Sequence, residues 1–472
     1  MAEFSLEPVA VPPVHTSHRR ICTPLPVPES LPVLERLRAA EPRAMAGQPP
    51  IVWDRADGFQ VSDRWGNTWI DWSSGVLITN AGHGRREIRD AVTEAVSRPL
   101  LSAYVFPHER RAELAARLQG LAPDPGGYTV FVVTTGSEAN EAAIKLARTY
   151  GQRRHGPAKR VIVSFRNAFH GRTMGAQLAG GMAAQHEWLS GEGATFVRVP
   201  FPDGFKNPDT SFEGFLAAVA RSGVEPAEIA GIITESYQGV GPDFLPTEYA
   251  QELCAFAAEH DIVTIFDEVQ SGFGRTGRMF CFEHYGVTPD LITCGKGITS
   301  SLPLAAVIGR RDILDLYPPG SMTSTHSGNP IGVAAALANL DLIERERLVE
   351  RAETLGCILM AELARIVAPH SSALACLTGR GLVAGIQVMR PGPGPAGSRE
   401  PDAVTAAAIV QACYRRGLLM FAPVGVAGEC VKIAPPLVIS EEALRESLAV
   451  FRDACAEVLA SRLRPAHVHR SG

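Results

Sequence analysis

Between about residues 125 and 310 the chain repeats one pattern. A short run of consecutive apolar residues is followed by a turn and then, in several cases, by a stretch with apolar residues on one helical face. "YTVFVVTT" (128–135) is such a run, and "SEANEAAIKLARTYG" (137–151) is the helical stretch behind it. "RVIVSF", "IAGIITES", "IVTIFDE", "DLITCG" and "PLAAVIG" are further runs, and "PTEYAQELCAFAAEH" (246–260) is the clearest later helix. Runs apolar at every position mark strands covered on both faces. Strand and helix in alternation predict an α/β domain with a mostly parallel sheet.

The two ends of the chain read differently. The first thirty or so residues are proline-rich ("VPPVHT", "TPLPVPESLP") and read as an extended arm. "GFQVSDRWGNTWIDWSSG" (58–75) alternates around Gly66-Asn67 and predicts a hairpin, with its tryptophans better placed in a core than in a pocket. After Asn329 the chain turns helical as far as residue 366. "PGPGPAGSREP" (391–401) is a breaker-rich loop, and Ser440 is the expected N-cap of a last helix.

Composition narrows the function classes. The 472 residues are 46% hydrophobic and 20% charged, the balance of a folded globular protein. A net charge of −5 gives no reason to expect nucleic acid or an anionic membrane as partner. No apolar run approaches the roughly 20 residues of a membrane span. The N-terminus lacks the basic-then-apolar order of a signal peptide, and the nine cysteines form no CxxC pair, so a cytoplasmic protein with reduced thiols is expected. Of 45 basic residues only Lys145, Lys159, Lys206, Lys296 and Lys432 are lysine, so each lysine invites a reason.

Candidate chemistry gathers at the ends of the apolar runs. Gly272-Phe-Gly274-Arg-Thr-Gly277 spells GxGxxG, but a dinucleotide fingerprint needs its first glycine at the strand end and its third inside a helix. Here Asp267-Glu-Val-Gln270 intervenes and "RMFCFEHYGV" has no helical face, which weakens a nicotinamide oxidoreductase. Asp267 falls at the carboxyl edge of the sheet, where it reads either as a cap or as a ligand group. "VVTTGSEANEA" places Gly136 and Ser137 at a helix start, which is either an ordinary strand–helix turn with a serine N-cap or an anion cradle. Lys296, between Gly295 and Gly297 and flanked by apolar runs, is placed for desolvation and nucleophilic amine chemistry. A phosphate cradle, a buried carboxylate and a nucleophilic lysine together describe a site for pyridoxal 5'-phosphate.

At these residues the sequence resembles the class III pyridoxal-phosphate-dependent aminotransferases, the family of 4-aminobutyrate and ornithine aminotransferases. "TTGSEANEAAIKLAR", "FHGRT", "FDEVQSGFGRTG", "CGKG" and "THSGNP" stand in family order, and the resemblance covers roughly residues 50 to 460. It implies an aspartate-aminotransferase-like large domain (fold type I for this cofactor) and a smaller α+β domain built from both chain ends. The corresponding division is 1–80 for the arm and first part of the small domain, 81–330 for the large domain, and 331–472 for the rest of the small domain. The resemblance also implies roles. Lys296 would form the imine with the cofactor and shuttle the proton, and Asp267 would pair with the ring nitrogen. Val269 and Phe169 would flank the ring, with His170 beside them. Gln270 would approach the ring hydroxyl, and Gly136 and Ser137 would hold the phosphate. Thr325 would reach the phosphate of a neighbouring subunit, which implies a homodimer with shared active sites. No metal is implied.

Departures from the family pattern bear on the substrate. "ESYQGVGP" replaces "EPVQGEGG", keeping Glu235 but introducing Ser236 and Val240, and His326 takes an aromatic position in "THSGNP". Lys432, in "CVKIAPPLVI", stands where glutamate-using members carry an arginine that pairs with the residue matching Glu235. A lysine offers a point charge in place of a fork, which argues against glutamate as preferred donor. Arg172 matches an arginine that meets distal carboxylates. The expected activity is ping-pong transfer of an amino group from a primary amine or ω-amino compound to a 2-oxo acid. Epimerisation or racemisation, decarboxylation or elimination by the same family, and a catalytically silent dimeric scaffold, are the alternatives.

Overall fold

The consecutive apolar runs become the strands of one sheet. In this computed structural model, which describes residues 4–189, 192–390 and 400–463, the chain divides into two compact units. The larger is Leu77–Thr354, and the smaller joins Met1–Val76 to Leu355–Gly472. Residues 331–354, assigned to the small domain on sequence, belong to the larger unit, and the division falls inside the helix Leu348–Val367. Most of the breaker-rich loop, residues 391–399, lies outside the described residues.

The larger unit carries strands β1 (Tyr128–Val133), β2 (Val161–Phe165), β3 (Phe196–Val199), β4 (Ile229–Glu235), β5 (Val263–Asp267), β6 (Leu291–Cys294) and β7 (Ala305–Arg310). Their order is β1-β7-β6-β5-β4-β2-β3. Only β7 runs against its neighbours, and the other pairings are parallel. Helix α1 (Gly136–His155) lays Ala139, Ala143, Leu146 and Ala147 into the core beside Val133, Ile233, Ile265 and Val307. Its alanines permit a close approach: a Cβ on Gly231 of β4 would stand 3.0 Å from the Ala147 methyl. Each fully buried Ile, Val or Leu here contributes roughly 1.5–3 kcal/mol.

In the smaller unit the expected hairpin forms, with Gln60–Ser62 antiparallel to Thr68–Asp71. The Asp63 carboxylate closes its turn by accepting the amides of Trp65 and Asn67, each at 2.9 Å. Trp69 and Trp72 are core residues, at 1% and 0% exposure. The proline-rich arm packs more than its composition suggests. It adds two-residue strands Val14–His15 and Arg20–Ile21 to this sheet and buries Ile21, Leu25 and Val27. A second sheet joins Leu374–Arg380, Val383–Val388 and Cys430–Ile433, all antiparallel. The last helix, Glu441–Leu463, starts directly after Ser440. No helix among the described residues is long and apolar enough to cross a membrane.

Candidate active site

The carboxyl ends of β1, β2, β4, β5 and β6 meet at one edge of the large sheet, around a cleft of about 160 Å³. This is the usual crevice of an open α/β sheet. β1 ends two residues before α1, and the Thr135 side chain caps the helix by accepting the Glu138 amide at 3.3 Å. The cap is therefore Thr135, two residues before Ser137. Ser137 Oγ instead accepts the Arg172 amide at 3.3 Å. The first amides of α1, at Gly136 and Ser137, have no partner among the described residues and face an anion-favouring helix start. Gly136 is required by packing, since a Cβ there would lie 2.8 and 3.0 Å from the Val269 methyls. Gly171, at φ +135°, similarly leaves room for Ser137.

Asp267 closes β5 and is 4% exposed. Its Oδ1 accepts the Val269 amide at 3.0 Å. Its Oδ2 accepts Asn140 Nδ2 at 2.7 Å and His170 Nδ1 at 2.9 Å. Asn140 is itself fixed, donating to the His170 carbonyl and accepting from Thr293 Oγ1, both at 2.7 Å. A carboxylate offers about four acceptor positions, so three donors leave room for one more. The His170 Nδ1 must carry the proton it shares with a carboxylate, and its buried Nε2 has no partner among the described residues. Asn140 and Thr293 were not singled out on sequence. Asn140 lies four residues after Gly136 on α1, hence on the same helical face, and that spacing was the available signal.

Lys296 follows β6 and Gly295, is half-buried, and has φ +38°. A left-handed lysine is strained, a state usually held in place by its surroundings at functional sites. Burial lowers its ammonium below the ordinary lysine value, with Asp267 and Glu235 opposing that shift. Glu235 closes β4 beside Asp267, in register with it. Its Oε2 accepts the Phe169 amide at 2.9 Å and its Oε1 the Gly239 amide at 2.8 Å. Burial raises its carboxyl to about 7, the His170 charge pulling the other way and the Asp267 charge adding to the rise.

The cleft thus brings together Gly136, Ser137, Phe169, His170, Glu235, Asp267, Val269, Gln270 and Lys296, all in the larger unit. Three sequence candidates do not line it. Arg172 is exposed, bonds Gln185 Oε1 at 3.0 Å and lies 5.2 Å from the Phe169 ring centre. Thr325 is exposed in a turn. Lys432 is buried in the smaller unit on strand Cys430–Ile433, its Nζ 5.5 Å from the Phe421 ring centre. The GxGxxG stretch is a run of turns, with Gly274 and Gly277 at φ +90° and +84° and no helix starting within it. Asn80 pins it by donating to the carbonyls of Gly272 and Phe273. The Ser236 departure also finds a local reason, because its hydroxyl donates to the buried Glu268 carboxylate.

Comparison with known proteins places this geometry in a family. The chain is 32% identical over 448 residues to a 4-aminobutyrate aminotransferase of Mycobacterium leprae, covering 92% of this chain and 97% of that one. It is 30% identical to an acetylornithine aminotransferase of Caldanaerobacter subterraneus subsp. tengcongensis, covering 87% and 95%. Among solved structures, an (S)-enantioselective omega-transaminase from Thermomicrobium roseum matches with a TM-score of 0.78 and 30% identity, over 91% of this chain and 95% of that one. Residues 43–455 match the aminotransferase class-III family as a whole, and the chain therefore belongs to the class III aminotransferases.

Proposed function

We propose that this protein is a pyridoxal-phosphate-dependent transaminase moving an amino group from a primary amine or ω-amino compound to a 2-oxo acid. The observation that carries the reading is Lys296 in one cleft with Asp267 and the open start of α1. The residues present fit the cofactor: two unengaged amides and a close-packed glycine for its phosphate, a carboxylate with room for one more donor for its ring nitrogen, and a desolvated amine. Gly136 and Ser137 would hold the phosphate, Asp267 the ring nitrogen and Gln270 the ring hydroxyl, with Phe169 and Val269 on the ring faces.

When bound, the cofactor supplies an aldehyde for imine exchange and a ring that accepts the electron pair left when a proton leaves the amine carbon. Lys296 does the rest of the work at its Nζ. Held partly out of water, its ammonium is disfavoured, which suits the Nζ to receive the proton from the amine-bearing carbon. Asp267 would offer its carboxylate to the ring nitrogen, and Asn140, His170 and the Val269 amide hold that carboxylate in place. One product leaves before the second substrate enters, so the kinetics are ping-pong.

The test is the visible spectrum of the purified holoenzyme as amines are added without a keto acid. Loss of the yellow absorbance with carbonyl product formed is the expected result. A shifted band with no amino transfer would instead favour epimerase, decarboxylase or lyase chemistry.

Three finer readings accompany this one. The enzyme is a homodimer in which Thr325 serves the phosphate site of the second copy. Leu100, Leu101, Val105 and Phe106 lie exposed in one loop, and Tyr104 ties that loop to the Thr325 turn by a 2.9 Å bond to Thr323. The enzyme is cytoplasmic, as nine free thiols favour. Lys432 disfavours glutamate as donor. Lys432→Arg is expected to raise kcat/KM for glutamate about tenfold, since a fork replaces a point charge. Steady-state kinetics with glutamate check this, and an unchanged value would count against the role. Gly136→Ala is expected to push Val269 toward the cleft and weaken cofactor retention about tenfold, read by equilibrium dialysis.

A further inference from the structure

Two buried carboxylates stand close to Asp267, and they differ in how completely they are satisfied. Glu268 accepts from Ser236 Oγ and the Phe282 amide on one oxygen, and from Ser271 Oγ and the Cys281 amide on the other. Four donors saturate it, and its place is structural. Glu235 is also buried, at 4% exposure, but receives one amide per oxygen and makes no ion pair among the described residues. One acceptor position on each oxygen remains, on a carboxylate that lines the cleft with Lys296. Burial raises its carboxyl to about 7, with the His170 charge pulling the other way.

The rest of the cleft has the same polarity. Asp267 and Glu235 are register partners on parallel strands, so both carboxylates leave the sheet at one edge. No arginine lines the cleft, and Arg172 is engaged outside it with Gln185 and the Phe169 ring. Among these lining residues a substrate carboxylate meets two carboxylates, whereas an ammonium meets the open acceptor positions of Glu235.

We propose that Glu235 receives a second cationic nitrogen of the amino donor, so that the preferred donors are diamines and not ω-amino acids. The inference rests on the transaminase reading above. Glu235 would fix the distal ammonium by charge-assisted hydrogen bonds from its two open positions, and thereby present the other amine to Lys296.

The test compares three compounds of one chain length on the wild-type holoenzyme: 1,4-diaminobutane, butylamine and 4-aminobutanoate. The rate of loss of the yellow absorbance gives the half-reaction, and spectral titration at early times gives the apparent Kd. The diamine is expected to surpass both others by at least about tenfold in rate over Kd. In Glu235→Gln the ratio of diamine to butylamine is expected to fall toward one, whatever happens to the absolute rates. Glu235→Asp, which keeps the charge, should retain part of the ratio. Equal response to diamine and butylamine, preference for 4-aminobutanoate, or an unchanged ratio in Glu235→Gln would each overturn the inference alone. If no amine discharged the absorbance, the transaminase reading would fall, and the inference with it.

Discussion

Replacing Lys296 with alanine is expected to abolish amino transfer, with a fall of at least about 10⁴-fold in turnover. Two losses combine. The amine that would link covalently to the cofactor is gone, and so is the base at the amine-bearing carbon. No neighbour can take over, because among the residues lining the cleft Lys296 is the one lysine. Asp267 is held by three donors and Glu235 by two amides, and a carboxylate cannot form the covalent imine link that an amine makes. The measurement is turnover with an amine and a keto acid, alongside the absorbance of the purified variant. The variant should lack the yellow lysine-linked band yet fold normally. Turnover within tenfold of wild type would sink the assignment.

Asp267→Asn should leave the protein able to bind cofactor while lowering turnover about 10²–10³-fold. The carboxylate's charge would hold a proton on the ring nitrogen, and asparagine has none. Geometry adds a second penalty. The new NH₂ must occupy one of two oxygen positions, and each already faces a donor: the Val269 amide at Oδ1, or Asn140 and His170 at Oδ2. Donor against donor displaces Asn140 or forces His170 to change tautomer. Rates should fall with little change in the cofactor dissociation constant, measured by dialysis and single-turnover absorbance. A variant as fast as wild type would remove the ring-nitrogen role from Asp267.

Which parts of this site could be read from the chain follows from the kind of signal each residue gives. Asp267 and Lys296 stand out because a polar residue ends an apolar run at a sheet edge, and sequence alone locates that edge. Asn140 gives no such signal: it sits mid-helix, where asparagine is merely a weak helix former, and only the packing of α1 on β5 shows what it touches. The Thr135 cap was missed in favour of a serine two positions later, since boundaries of helices shift easily by one or two residues. The arm before residue 30 reads as unpacked because strands of two residues have no period to detect. The α/β order was legible because six runs repeat it, while the domain division near residue 330 was not. An apolar helix such as Pro330–Arg345 reads alike on either side of a boundary, and it is its packing in the larger unit that decides.

The smaller unit couples the two ends of the chain through the edge strand Leu418–Leu419, which pairs in parallel with Ile70 and Asp71, and through the Trp69 indole, which donates to the Tyr414 carbonyl at 3.0 Å. These partners are 345 residues apart. At a ribosomal pace of about 5–20 residues per second, the early hairpin waits roughly 20 to 70 seconds for its partner to be made. The larger unit is complete in the chain well before then. Synthesis therefore imposes an order of assembly: the catalytic sheet can close on the nascent chain, while two tryptophans that belong in a core remain a sticky, half-built surface until the last third emerges. A chain that stalls between residues 354 and 414 would carry a finished cleft and an exposed aromatic hairpin, the kind of species that chaperones bind.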